Sequence, residues 1–312
     1  MKKKKMVLVA ALVIIMSMSL TGCKSSDYKK GVEYQESGEY SSALEMYKGI
    51  DGYENYKDTA ERVETCEAMI NAIEQYDTAK TELEAKNTEL ETLISDSEAL
   101  VAEGKTALDE TLIPALETSI SDTKTVKQEV PDMPDTADSI LSTVETMNAV
   151  DYTDAIGKLS DSKAALEKSI KQYELVDNPT EAYVIECLQN VEHIADISAV
   201  TEDNDPNGQL NKPGGYTATV YYSDDRISLD SSIHGTSVIE QGTDGGGAIE
   251  VYSTVEDAEK RRDYLAAYDG GIFASGTHTV IGTVLVRTSN ELKASEQQDM
   301  EARIIAALTY VE

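Results

Sequence analysis

The sequence predicts a mainly α-helical N-terminal stalk, made of a helical hairpin and a helical bundle or coiled coil, followed by a compact α+β domain. Three observations predict this class. Apolar residues recur at helical spacing from Asp58 to about Val101, in a stretch without proline or glycine. Shorter helical stripes then continue to about Tyr173. After about Ile194 the pattern changes to short segments rich in β-branched and aromatic residues, which is typical of strands.

The first residues have the three zones of a secretory signal. Lys2 to Lys5 precede an apolar run from Met6 to Leu20, which is shorter than the roughly 20 residues that span a bilayer. The run ends in Leu20-Thr21-Gly22-Cys23. These four residues resemble the lipobox of bacterial lipoproteins, which implies cleavage before Cys23 and a diacylglyceryl group on its thiol. The alternatives are a plain anchor helix or a signal that is cut elsewhere.

We therefore expect a signal peptide over residues 1–22, a lipidated tether over 23–27 and attachment to the outer face of the cell membrane. No second apolar stretch of spanning length follows Cys23 in the sequence. The membrane is then a partner of the chain through its N-terminal lipid. A protein or a cell-wall component is a further candidate partner.

The chain is strongly acidic, with a formal net charge of −31. Removal of residues 1–22 takes away four lysines and no acid, so the net charge of the mature chain would be −35. Such a charge repels nucleic acid and anionic lipid, which argues against a nucleic-acid partner. The 17 tyrosines supply most of the aromatic packing because tryptophan is absent.

Besides Cys23, the sequence contains Cys66 and Cys187, each inside a helical pattern. A disulfide between them is possible in an exported protein, but two buried thiols are the hypothesis that we favour. No spacing of cysteines suggests a metal site.

Residues 28–76 form the predicted helical hairpin, which resembles a single tetratricopeptide repeat. The resemblance implies that Gly31 lets the first helix approach its neighbour closely. It also implies that Ala43 lies where the two helices cross and that Tyr47 packs beneath Ala43. One repeat cannot bury its own apolar face, so we expect the hairpin to pack against the next helix rather than form a peptide-binding groove. The residues that carry the resemblance are Tyr28, Gly31, Tyr34, Gly38, Tyr40, Ala43, Tyr47 and Ile50.

Three further helices are expected between residues 104 and 176. Asp109 is the predicted cap of the first of them, and Asp151 is the predicted cap of the third. Val130 to Asp135, with two prolines, separates the first from the second. Their apolar stripes are Leu112, Leu116 and Ile120, then Ile140, Val144 and Met147, then Ile156, Leu159, Leu166, Ile170 and Tyr173.

The bundle over 77–176 resembles FIVAR modules, which are small three-helix bundles of cell-surface proteins. The pattern begins with Leu83-x6-Leu90-x2-Leu93-Ile94, continues through Ala107-Leu108-Asp109-x6-Leu116-x3-Ile120, and ends in a proline-containing break and a further helix. Such modules usually act as spacers, so the resemblance implies surface architecture and no chemistry.

The α+β domain is expected over residues 179–312. Asn178 is the predicted N-cap of its first helix, with Pro179 in the first position. We expect later helices from Ser253 or Thr254 to Tyr268 and from Ser295 to Leu308. The predicted strands are Tyr216–Tyr222, Ser237–Glu240, Ala248–Tyr252 and Thr279–Arg287.

The pattern Gly-Ala-Ile-Glu-Val-Tyr, then Asp-Ala-Glu-Lys-Arg, then Val-Ile-Gly-Thr-Val-Leu-Val-Arg lies within this domain. It resembles a domain that recurs at the C-terminal end of Gram-positive surface proteins. The resemblance implies a fold and a surface location, and no activity comes with it.

The most specific local motif is Asp203-Asn204-Asp205-Pro206-Asn207-Gly208, which matches the first half of a calcium loop. Asp203, Asp205 and Asn207 are therefore candidate ligands of calcium, the one cofactor that the sequence suggests. The second half departs from the pattern, since Gly214 stands where a bidentate glutamate belongs. Further ligands would have to come from water, backbone carbonyls, Asn211 or Asp244. The alternative is a solvated turn, because Asp, Asn, Pro and Gly are all turn residues.

Catalytic candidates are few. His193, His234 and His278 stand in separate elements, and no motif of a zinc protease or serine hydrolase accompanies them. Ser160 and Lys163 spell a penicillin-binding motif by chance within a helix. Gly242 to Gly247 precede a strand, so we expect a turn or a close backbone contact rather than a phosphate site.

Two charged residues of predicted strands, Glu250 and Arg287, could pair across the sheet or face a ligand, and pairing is the commoner explanation. The first function hypothesis is a non-enzymatic surface lipoprotein whose helices present the α+β domain for binding or structure. A calcium-stabilised structural module is the alternative, and a cell-wall-active hydrolase is a second alternative.

Overall fold

The computed structural model describes residues 23–228, 233–270 and 276–311. The described residues divide into two compact units, one within residues 1–88 with 128–151 and the other within residues 89–127 with 152–312. The predicted signal peptide over 1–22 lies outside the described residues. The modules expected over 28–76 and 77–176 group the helices differently from these units and remain predictions.

The predicted fold class is confirmed, because a mainly helical N-terminal region precedes a sheet domain with helices. The helices are α1 Lys24–Glu36, α2 Tyr40–Lys48, α3 Thr59–Ala102, α4 Leu112–Val126, α5 Ala137–Asn148, α6 Thr153–Val176, α7 Glu181–Leu188, α8 Val238–Gln241, α9 Val255–Ala266 and α10 Ala294–Leu308, and short 3-10 turns cover Tyr53–Asn55 and Gly242–Gly245. The strands are β1 Ile194–Ala199, β2 Tyr216–Asp224, β3 Gly246–Tyr252, β4 His278–Ile281 and β5 Val284–Thr288. No helix in the described part of the chain is both long enough and apolar enough to span a bilayer.

In the first unit, α1 and α2 form a close hairpin. A Cβ atom on Gly31 would lie only 2.5 Å from the ring of Tyr47, so the approach of the two helices requires glycine there. Ala43 is fully buried. Ala43 and Tyr47 share a core with Val63 and Cys66 of α3, so the hairpin packs against the next helix as expected.

The second core of this unit joins α3 to α5. The apolar stripe of α3 meets the stripe predicted for α5, since a helix returns to the same face every three to four residues. Tyr76 donates a hydrogen bond to the carbonyl of Pro131 at 2.6 Å, which fixes the proline-containing break against α3. The buried residues are Met69, Ala72, Tyr76, Ala79, Leu83, Ile140, Val144 and Met147.

The second unit contains the sheet, which has the order β1-β2-β3-β5-β4 among the described residues, with every neighbouring pair antiparallel. Successive residues of a strand point to opposite sides, so the sheet has two faces. We call the face toward α7 and α10 the apolar face; its strand residues include Val220, Ile249, Val251, Val284 and Val286, which pack on Val184, Leu188, Met300, Ile304 and Leu308.

The opposite face lies toward α8 and α9, and we call it the charged face. Its apolar strand residues include Tyr221, Ala248, Tyr252 and Leu285, which share a core with Val238 and Ile239 of α8 and with Ala258 and Leu265 of α9. Because Glu250 lies between Ile249 and Val251 in β3, its side chain points to this face.

Two of the predicted strands are wrong. Ser237–Glu240 is one helical turn, because Ser237 and Glu240 form a reciprocal capping box whose hydrogen bonds favour a helix start over a strand. Thr279–Arg287 is two strands, since Gly282 adopts φ +56° and begins a two-residue turn between β4 and β5. Strand β1 was not predicted at all.

Three predicted caps are also wrong. The first helix of the α+β domain begins at Glu181, and Thr180 rather than Asn178 caps it by accepting a hydrogen bond from the Tyr183 amide. Asp109 accepts hydrogen bonds from Thr111 in a turn before α4, and Asp151 stands one residue ahead of the cap position of α6. The Asn178 side chain accepts a hydrogen bond from the Thr217 hydroxyl, and the Asp109 side chain accepts from Thr111, so neither caps the helix that follows it. Thr254 caps α9 as predicted, although the helix ends at Ala266.

Candidate functional site: a buried charged cluster

The charged face carries a buried ionic cluster around Glu250, whose side chain is 0% exposed. Its Oε1 accepts hydrogen bonds from Arg287 Nη1 at 2.7 Å and from Arg261 Nη2 at 3.4 Å. Its Oε2 accepts from the Tyr252 hydroxyl at 2.7 Å and from Arg261 Nε at 3.1 Å. These four bonds use the four acceptor positions of a carboxylate.

The sheet register and one helix bring the cluster together. Glu250 and Tyr252 are two residues apart in β3, so both point to the charged face. Glu250 lies opposite Leu285 in β5, which puts Arg287 at the diagonal position on the same face. Arg261 comes from α9, where it shares the buried stripe of Ala258 and Leu265.

The pairing keeps Glu250 ionised. Burial alone would raise the pKa of its carboxyl, but the guanidinium groups of Arg287 and Arg261 outweigh it and hold the pKa below the usual range. Burial and the charge of Glu250 raise the pKa of Tyr252, so its hydroxyl keeps its proton and donates. The charges of this cluster are therefore satisfied within the protein and do not form a group of free acids and bases.

Two polar atoms beside the cluster are buried and have no hydrogen-bond partner in the described structure, namely Thr219 Oγ1 and Arg287 Nε. Thr219 stands directly opposite Glu250 across the β2–β3 pair. An unsatisfied buried donor costs roughly 1–3 kcal/mol. The carboxylate of Glu250 is thus fully bonded, whereas Arg287 uses Nη1 and leaves its buried Nε without a partner among the described residues.

The loop that contains the predicted calcium ligands adjoins this face. Asp205 Oδ1 accepts from the Tyr216 hydroxyl and from the Asn207 amide, and Oδ2 accepts from the amides of Gln209 and Leu210 at 2.6 and 2.8 Å. Burial raises the pKa of Asp205, but the bonds from Tyr216 and the three amides outweigh it and lower the pKa. The Asp205 carboxylate therefore stabilises the turn of residues 205–210 by accepting hydrogen bonds from amides of that turn and from Tyr216.

Asn207 joins the same network through Nδ2, which lies 3.4 Å from the Tyr216 hydroxyl and 3.3 Å from the Tyr221 hydroxyl. Asp203, in contrast, is exposed, and its carboxylate forms no hydrogen bond with any residue in the described ranges. Of the three predicted calcium ligands, Asp205 and Asn207 therefore both contact the hydroxyl of Tyr216, and Asp203 does not.

A calcium ion would have to displace the four donors that now bond Asp205. In the described ranges, no group of three or more His, Cys, Asp or Glu side chains is placed to hold a metal ion. The distant acid Asp244 uses its backbone carbonyl to accept from Ser289 at 2.9 Å. The absence of a group of His, Cys, Asp or Glu side chains among the described residues does not concern asparagine, so Asp203, Asp205 and Asn207 remain predicted calcium ligands.

Two histidines, His193 and His278, each lie beside a carboxylate. His193 Nδ1 is 2.9 Å from Asp225, and His278 Nε2 is 3.3 Å from Asp269. Neither ring is hydrogen-bonded to a serine or cysteine in the described residues. Lys163 pairs with Glu167 at 2.6 Å along α6, as expected of a helix surface.

The structure also shows the surroundings of the glycine run before β3 and of the three cysteines. A Cβ on Gly246 or Gly247 would lie 2.2 or 2.3 Å from a backbone oxygen of a neighbouring strand, so this glycine run does serve a close backbone contact. Cys66 and Cys187 are both free thiols, and burial raises the pKa of each. Cys23 is exposed at the N-cap position of α1.

Comparison of the chain with protein-family models, with curated proteins and with solved structures finds no match. The named resemblances of the sequence therefore remain predictions. Sequence reasoning found Glu250 and Arg287 but missed Arg261 and Tyr252. The helical spacing of Ala258, Arg261 and Leu265 was the signal that could have placed Arg261 on the buried face of α9.

Proposed function

We propose that the chain is a membrane-anchored extracytoplasmic lipoprotein without enzymatic activity, whose helices carry an α+β domain with a binding or structural role. The observation that carries the proposal is the position of Cys23. Its thiol is exposed, directly before the first residue of α1, and it follows the small residues Thr21 and Gly22. A lipid-modifying enzyme could reach such a thiol without unfolding the protein.

Lipid on Cys23 would be sufficient to hold the protein at a membrane. Each buried CH2 group of an acyl chain contributes about 0.8 kcal/mol, and stable anchoring takes more than one chain. A diacylglyceryl group supplies two chains on one cysteine. The anchor would therefore overcome the repulsion between an acidic chain and anionic lipid.

The absence of enzymatic activity is supported by how the charged groups are used. The four acceptor positions of Glu250 are taken by Arg287, Arg261 and Tyr252. Because general acid–base catalysis needs a group that is free to exchange a proton with substrate, such a carboxylate is unsuited to it.

Metabolic labelling tests the anchor. The full-length chain is produced in a bacterium that processes lipoproteins, and the cells are fed an alkyne-tagged fatty acid. We expect the label on the wild-type protein in the membrane fraction and no label on Cys23→Ala. The matched control is Cys187→Ala, which loses a half-buried thiol and should stay labelled.

Two results would contradict the proposal. An unlabelled wild-type protein would show that no lipid is attached. A labelled Cys23→Ala protein would show that the lipid is on another residue.

A further inference from the structure

The two outer strands of the sheet have different edges. In β1, the register with β2 shifts between Ile194 and Asp196, which is an irregularity that interrupts the edge. The Val200 amide bonds to the Thr219 carbonyl, so by alternation the amide of Ile197 points away from β2. That amide donates to the Asp196 carboxylate at 2.8 Å. The β1 edge is therefore blocked by a bulge and by a charged side chain, as sheet edges commonly are.

Among the described residues, the β4 edge has neither a bulge nor a charged blocking side chain in the strand itself. Its register with β5 is regular from His278 to Ile281, and the strand contains no Asp, Glu, Lys, Arg or Pro. The Thr288 amide bonds to the Thr277 carbonyl at 3.1 Å, so by alternation the backbone N–H and C=O groups of His278 and Val280 point outward. Within the described ranges these groups bond to no other residue.

A groove of about 530 Å³ runs beside this edge. One side is formed by Asp269 near the end of α9, and the other by Gln297, Gln298 and Glu301 of α10. Apart from His278, the ionisable side chains among its described lining are the two acids, Asp269 and Glu301. The groove thus combines an open strand edge with amide and carboxylate acceptors.

We propose that the β4 edge binds an extended, basic peptide segment of a partner protein, which adds a strand to the sheet. Strand addition of this kind draws affinity from main-chain hydrogen bonds and specificity from alternate side chains. The peptide would bond to the outward N–H and C=O groups of His278 and Val280. The inference rests on the proposed binding role of the α+β domain and is independent of the lipid on Cys23.

The positions of the two acids define the expected sequence of the peptide. His278 lies opposite Arg287, so it points to the charged face, and Asp269 lies on that side. Thr279 points to the opposite face, where α10 carries Glu301. Because successive residues of a strand alternate, a Lys or Arg beside another Lys or Arg would place one cation near each acid.

A second copy of the chain is a poorer occupant of this edge. Two copies would bring together two chains that each carry a formal net charge of −31. Each copy would also present Asp269 and Glu301 to the other. Like charges that face each other across an interface disfavour association. The charge of the groove therefore favours a basic partner over self-pairing.

The test uses the full-length chain extracted in detergent and a fluorescent peptide, Thr-Val-Lys-Arg-Val-Thr with blocked ends. We expect anisotropy to show saturable binding, which Val280→Pro weakens at least tenfold. Proline removes the outward amide of residue 280 and leaves the β4–β5 bonds of its neighbours in place. Val280→Thr is the matched control and should bind as the wild type does.

Peptide controls separate strand pairing from charge attraction to an acidic protein. A peptide of equal charge with alternate prolines should bind at least tenfold more weakly, and the Glu-Glu version should not bind. Equal binding of the proline peptide, equal binding to Val280→Pro, or no binding at millimolar peptide would each overturn the proposal. Sedimentation that shows a dimer of the wild type and a monomer of Val280→Pro would overturn it in favour of a second copy.

Discussion

The apolar face and the charged face of the sheet are both buried, but different forces hold them. On the apolar face, Val220, Ile249 and Ile304 are fully buried and make no use of charge. On the charged face, the equally buried Glu250 is held by two guanidinium groups and one hydroxyl. On the apolar face, we expect the free energy of unfolding to fall in proportion to the apolar area removed. On the charged face, we expect a large fall when any one partner of the ionic cluster is removed.

This difference explains why the charged face is no simple ligand site. A buried ion pair gains little over apolar packing, yet breaking it leaves an uncompensated charge in a medium of low polarity. We therefore expect the cluster to behave as an all-or-none structural element beneath α9, in which the loss of one charge costs more than the joint replacement of all of them. We therefore place our binding proposal at the β4 edge, where the outward backbone groups of His278 and Val280 bond to no other residue that the structure describes.

Loss of Glu250 should have the largest effect. Glu250→Ala leaves Arg287 and Arg261 buried without a counter-charge, so we expect the free energy of unfolding to fall by about 3–5 kcal/mol. Urea denaturation followed by circular dichroism measures this change. The triple variant Glu250→Met, Arg261→Met and Arg287→Met removes all the charges and should lose less than the single variant. An equal or larger loss in the triple variant would contradict the all-or-none account.

Truncation on the apolar face should cost somewhat less and should not depend on ionic conditions. Ile304→Ala removes buried methylene groups and leaves a cavity, which typically costs about 2–5 kcal/mol. The same loss is expected at low and high salt and at pH 3 and pH 7, whereas the loss caused by Glu250→Ala should shrink at pH 3. A loss that varies with pH as much as that of Glu250→Ala would erase the distinction between the faces.

The Asp205 turn should contribute less than either face. Asp205→Ala removes the acceptor of the Tyr216 hydroxyl and of three amides, and we expect a loss of about 1–3 kcal/mol. Asp203→Ala is the matched control and should change stability by no more than about 0.5 kcal/mol. These values should hold with millimolar calcium and with chelator. A calcium-dependent rise in the thermal midpoint that Asp203→Ala abolishes would instead support the calcium-stabilised module.

The smallest expected effect is the pH dependence of the charged face. The pKa of Glu250 is lower in the folded protein than the value of about 4.3 in an unfolded chain. Its contribution is therefore complete above about pH 5 and is lost as pH falls through the folded value. Thermal unfolding between pH 7 and pH 3 should show a steeper loss in the wild type than in Glu250→Gln. If the thermal midpoints of the wild type and of Glu250→Gln fall equally with pH, then ionisation of Glu250 does not stabilise the folded protein.

The class of fold and the Glu250–Arg287 pair could be predicted because they depend on local pattern. Helical periodicity places the stripe of α3, and charged residues in apolar strands indicate a buried pair. Arg261 could not be paired with them from sequence, because its place depends on how α9 crosses the sheet. The network of Tyr216 with Asp205 likewise depends on the path of a loop.

The errors in secondary structure have local causes. Ser237 to Glu240 carry β-branched residues, but the capping box outweighs their preference for strands. Strand β1 has little of the strand composition and forms because it pairs with β2. In both cases hydrogen bonds outweigh residue preference.

We expect the mature protein to begin at Cys23 and to carry lipid on that residue. Mass spectrometry of the N-terminal peptide, from protein extracted from membranes, tests it most directly. We expect a peptide that begins at Cys23 and has the added mass of a diacylglyceryl group on the thiol. A peptide that begins at another residue, or at Cys23 with an unmodified thiol, would contradict the claim.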